Sequence, residues 1–227
     1  MSSRQEKERR RRERDRAQAR AAQRRANIRF FSGVAAALAA TGVAVVLILG
    51  AKSDGARAGL ALTPVQERKA VAATADIPRV SSPDGKRALA GVKAQANEII
   101  DDNIETRLKA LEGVPVVVNQ WAAWCPNCRA EFGFFQELAK GYDGKVAFLG
   151  LDSNDDRGDA ESFLEDFPVP YPSIWDPGAI QARSIGAGIG WPTTVFYDAK
   201  GTRTFVRQGG YTTKESLDRD IRTYALG

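Results

Sequence analysis

Val116-Val117-Val118-Asn119-Gln120-Trp121-Ala122-Ala123-Trp124-Cys125-Pro126-Asn127-Cys128-Arg129-Ala130-Glu131 is the stretch whose reading decides the fold. Together with Gly113-Val114-Pro115 before it, its first part is a short apolar run rich in β-branched residues, which predicts a buried strand over 113–121. Pro126-Asn127 marks a turn between two cysteines, and apolar residues at Ala130, Phe134, Phe135 and Leu138 predict a helix after it. A strand that turns directly into a helix puts Cys125 at the helix N-terminus and Cys128 one turn inside.

Working outward, 145–151 predicts a second strand and 155–167 a helix that ends before Pro168. Strand, helix, strand, helix in succession implies a parallel pair. Further on, 193–197 and 202–206 flank Asp198-Ala199-Lys200-Gly201, a hairpin signal, and 214–226 reads as a closing helix. The expected fold class is therefore α/β, a mixed central sheet flanked by helices.

The composition narrows the chemistry. The chain of 227 residues has no histidine, which excludes Ser-His-Asp and Cys-His catalysis and removes the usual haem ligand. Its two cysteines are too few for a structural zinc site, so neither a metal nor a cofactor is expected. A bridge across two residues closes almost no loop and would add little as a structural staple. What remains is thiol chemistry. Unpaired backbone N–H groups and the positive end of the helix dipole favour the thiolate at Cys125, and Cys128 lies within reach to resolve a mixed disulfide. Cys125 is thus the expected nucleophile and Cys128 the resolving thiol.

The stretch 116–131 resembles the active-site segment of the TlpA/ResA-like branch of the thioredoxin superfamily, and the resemblance extends over roughly 95–227, through Trp191-Pro192-Thr193-Thr194. It implies a thioredoxin fold and thiol–disulfide oxidoreductase activity. It also implies that Pro192 is a cis-proline facing the cysteines, exposing the backbone of Trp191 to an extended substrate. Trp124, Pro126, Trp191 and Pro192 form the expected substrate-binding surface, with Trp121 and Trp124 as packing and shielding groups. ResA-like proteins carry a functional acid where this chain has Glu131, so Glu131 is expected either to relay protons to Cys128 or to be a solvated charge on the helix surface. Other thioredoxins hold a buried Asp six residues before the first cysteine, where this chain has the non-titrating Asn119.

The N-terminal part is organised differently. Residues 1–29 hold twelve Lys/Arg against four Asp/Glu, so a chain of net charge +5 has a mildly acidic remainder. Residues 30–51 then run 22 positions without a charge, about 33 Å as a helix, enough to cross a bilayer. The arginines in front of that run predict an N-terminus held in the cytoplasm, with the remainder outside a cell membrane. A cleaved signal peptide is the competitor, since Ala56-Arg57-Ala58 resembles a cleavage site, but the run is longer than such signals need. The basic tail has no aromatic residue for stacking on bases, so membrane lipid rather than nucleic acid is its expected partner. The expected organisation is a basic tail over 1–29, an anchor over 30–51, a flexible tether over 52–90 and a thioredoxin-like domain over 91–227.

Three functions fit this pattern. The first is a reductase for exported proteins, apocytochrome c among the clients that the resemblance implies, recharged by a membrane electron donor because the chain has no further cysteine. The second is an oxidase that donates disulfides. The third is a non-catalytic tethered module with a static bridge. Peroxidase action fits less well, because Ala122 stands where a peroxiredoxin-type site needs Thr or Ser.

Overall fold

The computed structural model describes residues 74–227. The basic tail, the apolar run and the first part of the expected tether lie outside the described residues, among which no helix is long and apolar enough to cross a membrane. The elements run α1 (Pro83–Ala94), β1 (Ile99–Ile100), α2 (Ile104–Ala110), β2 (Val116–Trp121), α3 (Pro126–Gly141), β3 (Ala147–Ser153) and α4 (Arg157–Asp166). They continue with β4 (Ser173–Asp176), α5 (Ile180–Ser184), β5 (Thr193–Tyr197), β6 (Arg203–Gln208) and α6 (Lys214–Asp220), which ends in a wider turn, Ile221–Ala225.

Six strands form one sheet in the order β1-β4-β3-β2-β5-β6. β2 pairs parallel with β3, with Trp121 opposite Asp152, and antiparallel with β5, with Asn119 opposite Thr194. β3 and β1 run parallel to β4, and β6 closes the other side antiparallel to β5. This mixed sheet, with the cysteine turn between a central strand and its helix, is a thioredoxin fold. β2, β3 and β5 are buried along their whole length, the pattern of strands covered on both faces. Beneath the turn, Trp121 packs against Phe132 and Phe163 with ring centroids 5.1 and 4.9 Å apart, and its indole donates to Ser173 Oγ at 3.1 Å.

Two expectations need correction. Residues 83–90, read as tether, begin α1: Ser82 caps it by accepting from Gly85 N–H, and Pro83 occupies the first helical position, where its missing N–H costs nothing. Packing extends further upstream, because Thr74 and Ile77 are buried. Thr74 Oγ1 donates to the carbonyl of Gly141 and Lys145 Nζ donates to the carbonyl of Thr74, so the chain docks at the C-terminal end of α3. The core face of α3 also differs, comprising Cys128, Glu131, Phe132, Phe135 and Leu138, whereas Ala130 is exposed and Phe134 only half-buried.

Candidate active site

β2 ends at Trp121, four residues later the chain enters α3, and Cys125 stands at the N-cap of that helix. Pro126 opens the first turn, with its φ already suited to it. Cys125 and Cys128 are joined as a disulfide with Cα atoms 5.3 Å apart. Cys125 Sγ accepts from Cys128 N–H at 3.0 Å, the place a serine or aspartate oxygen takes at other helix starts. A thiolate there would receive the same N–H group and the helix dipole. Cys125 is 3% exposed and Cys128 fully buried. Pro126 and Asn127 between them are exposed.

Glu131, one turn beyond Cys128, is fully buried, which excludes the solvated surface charge. Its Oε2 accepts from the backbone N–H of Tyr211 at 2.8 Å, and its Oε1 has no hydrogen-bond partner among the described residues. Burial pushes this carboxyl up to about 8, against the opposing pull of the Tyr211 N–H and the Arg207 guanidinium. At neutral pH it is therefore mostly a neutral acid with a proton to give. These parts meet around Gly210: a Cβ there would lie in ordinary contact 3.4 Å from Glu131 Oε2, 3.5 Å from Pro192 Cγ and 3.7 Å from Asn127 Cβ. The acid, the proline and the inter-cysteine turn thus converge on one glycine. The Trp191–Pro192 peptide is cis, the form that the resemblance implied. Asn119 is buried, with no partner among the described residues for either polar atom of its amide group.

Trp124, 53% exposed, lies with its ring centroid 5.3 Å from that of Trp191. The loop after β3 supports both rings. Trp191 Nε1 donates to the carbonyl of Ser153 at 3.1 Å and Trp124 Nε1 to the carbonyl of Asn154 at 2.9 Å, while Asp155 Oδ2 accepts from the N–H of Ala123. With both indole N–H groups satisfied, the rings offer apolar surface. Ile189, 84% exposed, stands two residues before Trp191. Gln120 Oε1 accepts from Gly188 N–H at 2.8 Å and ties that segment to β2.

The structure thus gathers Cys125, Cys128, Glu131, Trp124, Pro126, Trp191 and Pro192 around one turn. Sequence reasoning missed Tyr211, Gly210 and the supports at 153–155. The Gly209-Gly210 pair and the acid-rich run Asp152-Ser153-Asn154-Asp155-Asp156 were visible signals, but nothing in them pointed to the cysteines. Among the described residues no group of three or more Cys, Asp or Glu is arranged to hold a metal ion.

Known proteins similar to this chain carry related names. The thiol:disulfide interchange protein DsbE of Vibrio cholerae is 34% identical over 109 residues, 48% of this chain and 54% of that protein. The protein of the same name from Escherichia coli is 36% identical over 92 residues, 40% of this chain and 47% of that protein. The chain thus spans about half the length of these relatives. A crystal structure of a putative DsbE from Chlorobium tepidum is 29% identical, covering 51% of this chain and 82% of that one with a TM-score of 0.47. The sequence profile of the Redoxin family matches residues 68–221, more than half of the chain, which therefore belongs to the Redoxin family.

Proposed function

We propose that this protein is a membrane-anchored, extracytoplasmic thiol–disulfide oxidoreductase that reduces disulfides in exported proteins. The observation that carries the reading is the cysteine pair at the N-cap of α3, with a buried acid one turn behind it and the cis Trp191–Pro192 segment beside it. The names of the relatives support the same chemistry. In the forward direction the Cys125 thiolate attacks one sulfur of a client disulfide, the client S–S bond breaks, and the other client sulfur leaves and takes up a proton. Cys128, deprotonated, then attacks Cys125 Sγ, releasing the second client thiol and closing the Cys125–Cys128 bond. Two electrons pass to the client. Glu131 is suited to exchange the Cys128 proton, since it follows on the same helical face with a carboxyl balanced near neutrality.

Trp124, Pro126, Trp191 and Pro192 bind the client, an extended segment lying along the backbone of Trp191. Apocytochrome c is one client class to try. The reducing direction rests on the absence of a cation between the cysteines, since Pro126-Asn127 adds nothing to the helix terminus that would stabilise the thiolate. An ionised Glu131, expected to oppose the thiolate further, contributes little below about pH 8. Equilibration with glutathione tests the direction: a potential of roughly −200 mV or lower is expected, and one near about −120 mV would make the protein a disulfide donor instead. A static bridge would not exchange at all. The tail 1–29 lies against cytoplasmic lipid headgroups, 30–51 spans the membrane, and a membrane electron donor recharges the dithiol. Protease added to intact spheroplasts should remove the cysteine domain, and its protection would place that domain inside.

A further inference from the structure

Tyr211 is held at three points. Its backbone N–H donates to Glu131 Oε2 at 2.8 Å, its hydroxyl donates to Asp220 Oδ2 at 3.0 Å, and the guanidinium of Arg207 lies over its ring, 4.3 Å from the centroid. Asp220, the last residue of α6, is buried, and Arg207 on β6 donates to the same Oδ2 at 3.3 Å. Phe135 from α3 meets the tyrosine ring edge-on, with centroids 6.3 Å apart. The two residues before Tyr211 cannot supply this hold. Gly209 has a φ of 86°, a conformation open to glycine, and neither Gly209 nor Gly210 has a side chain to pack. Gly209 N–H donates to the carbonyl of Pro192 at 2.9 Å, so the segment 209–211 runs from the cis-proline to the acid. Where the Tyr211 N–H points therefore depends on its anchored side chain.

We propose that Tyr211, fixed by Asp220 and Arg207, is a positioning residue that holds an N–H on Glu131 and so sets how readily that acid takes the proton of Cys128. This inference rests on the oxidoreductase reading above and deepens it. When Cys128 attacks Cys125 Sγ it gives up a proton, and only an ionised Glu131 can receive it. A donor on the carboxylate favours the ionised form, and so does a nearby cation, whereas burial favours the neutral acid. For Glu131 burial is the largest effect and brings the carboxyl to about 8, opposed first by the Tyr211 N–H and then by Arg207. The other titratable groups facing it are Cys128 on its own helix, the Tyr211 hydroxyl, and the hydroxyl of Tyr171 before β4, both hydroxyls kept neutral by burial. Asp220 is meanwhile engaged by Arg207 and, at 3.4 Å, by Arg219. Loosening the anchor thus weakens the one hydrogen bond to the Glu131 side chain among the described residues and moves the acid toward its neutral form.

The test follows the Glu131 carboxyl directly, by its carbon-13 chemical shift in the whole oxidised protein between pH 6 and 10, with Glu131→Gln assigning the signal. Tyr211→Phe keeps the N–H but removes the hydroxyl that Asp220 holds, and Arg207→Met removes the cover over the ring together with its charge. Each should raise the midpoint by about 0.5 pH units or more, roughly threefold in proton affinity. Glu215→Gln, which removes an exposed acid from the same α6, should leave the midpoint in place. The pH profile of the exchange rate with glutathione should move with the carboxyl, and Tyr211→Phe made in the Glu131→Gln protein should not move that profile. A tyrosine that only supported the fold would lower Tm on Tyr211→Phe and leave the midpoint where it was. That result overturns the inference while the oxidoreductase reading stands, and so does a midpoint that moves while the exchange profile does not. A wild type that does not exchange overturns both. Should Tyr211→Phe not fold, Arg207→Met decides, and an unmoved midpoint in that variant overturns the inference.

Discussion

Glu131 and Tyr211, 80 positions apart in sequence, meet in the core, where Oε2 of the acid accepts the tyrosine's backbone N–H at 2.8 Å. That bond satisfies one oxygen of a fully buried carboxyl, and the other has no partner among the described residues. The acid therefore keeps its proton well above the usual carboxylate range, which has consequences for stability and for turnover.

Between about 4.5 and about 8 the unfolded chain has lost the Glu131 proton and the folded chain has not. Stability is therefore full below that window and falls as pH rises through it, by roughly 1.4 kcal/mol per unit of raised pKa at most. Asp152 adds a slope of the same sign up to about 9. Urea unfolding of the oxidised protein at pH 5, 7 and 9 should show this decline, and Glu131→Gln should flatten its lower part. The same variant should slow turnover and shift the pH profile of cysteine alkylation. A variant that parallels the wild type in all three would leave Glu131 a packing residue.

The two sulfurs should react unequally. Reduced protein treated with a small alkylating agent should label Cys125 first, because Cys125 receives the Cys128 N–H and Cys128 is fully buried. Cys128→Ser should accumulate mixed disulfides with clients through Cys125. Trapping that occurs only in Cys125→Ser would reverse the roles.

Truncating Trp124 to Ala removes an exposed ring and its hydrogen bond to Asn154. Client KM should rise about fivefold, roughly 1 kcal/mol, while stability changes by less than about 1 kcal/mol. Loss of stability without loss of client affinity would make the ring a structural cover.

Gly150, in the middle of β3, has no room for a methyl group. A Cβ there would lie 2.0 Å from Ser173 Oγ and 2.9 Å from Trp121 Nε1, between the two partners of the hydrogen bond beneath the site. Gly150→Ala should lower Tm by roughly 5–10 °C through overpacking. Thermal unfolding followed by circular dichroism reads the effect, and an unchanged Tm would show that β4 gives way easily.

Much of this was legible in the sequence, for local reasons. β2 is six consecutive buried residues and its turn carries Pro and two cysteines, so pattern alone locates Cys125 and Cys128. β1 is two residues long and has no period to read. β4 includes Ser173 and Asp176, polar residues buried because the Trp121 indole and three backbone N–H groups reach them from elsewhere. The Ser82 cap and Pro83 were readable signs of α1, but the Ala- and Gly-rich composition around them suggested a tether. Glu131 was singled out by the resemblance to ResA-like proteins. Its burial depends on Tyr211 and Gly210, which only the folded chain brings to it.

Thr74 meets Gly141 at one end of α3, and Cys125 caps the other, a separation of about 24 Å for a helix of 16 residues. Thr74 and the reactive pole are thus at opposite ends of a single rigid rod. A bulky client can therefore reach Trp124 and Trp191 from the end of α3 that lies away from Thr74.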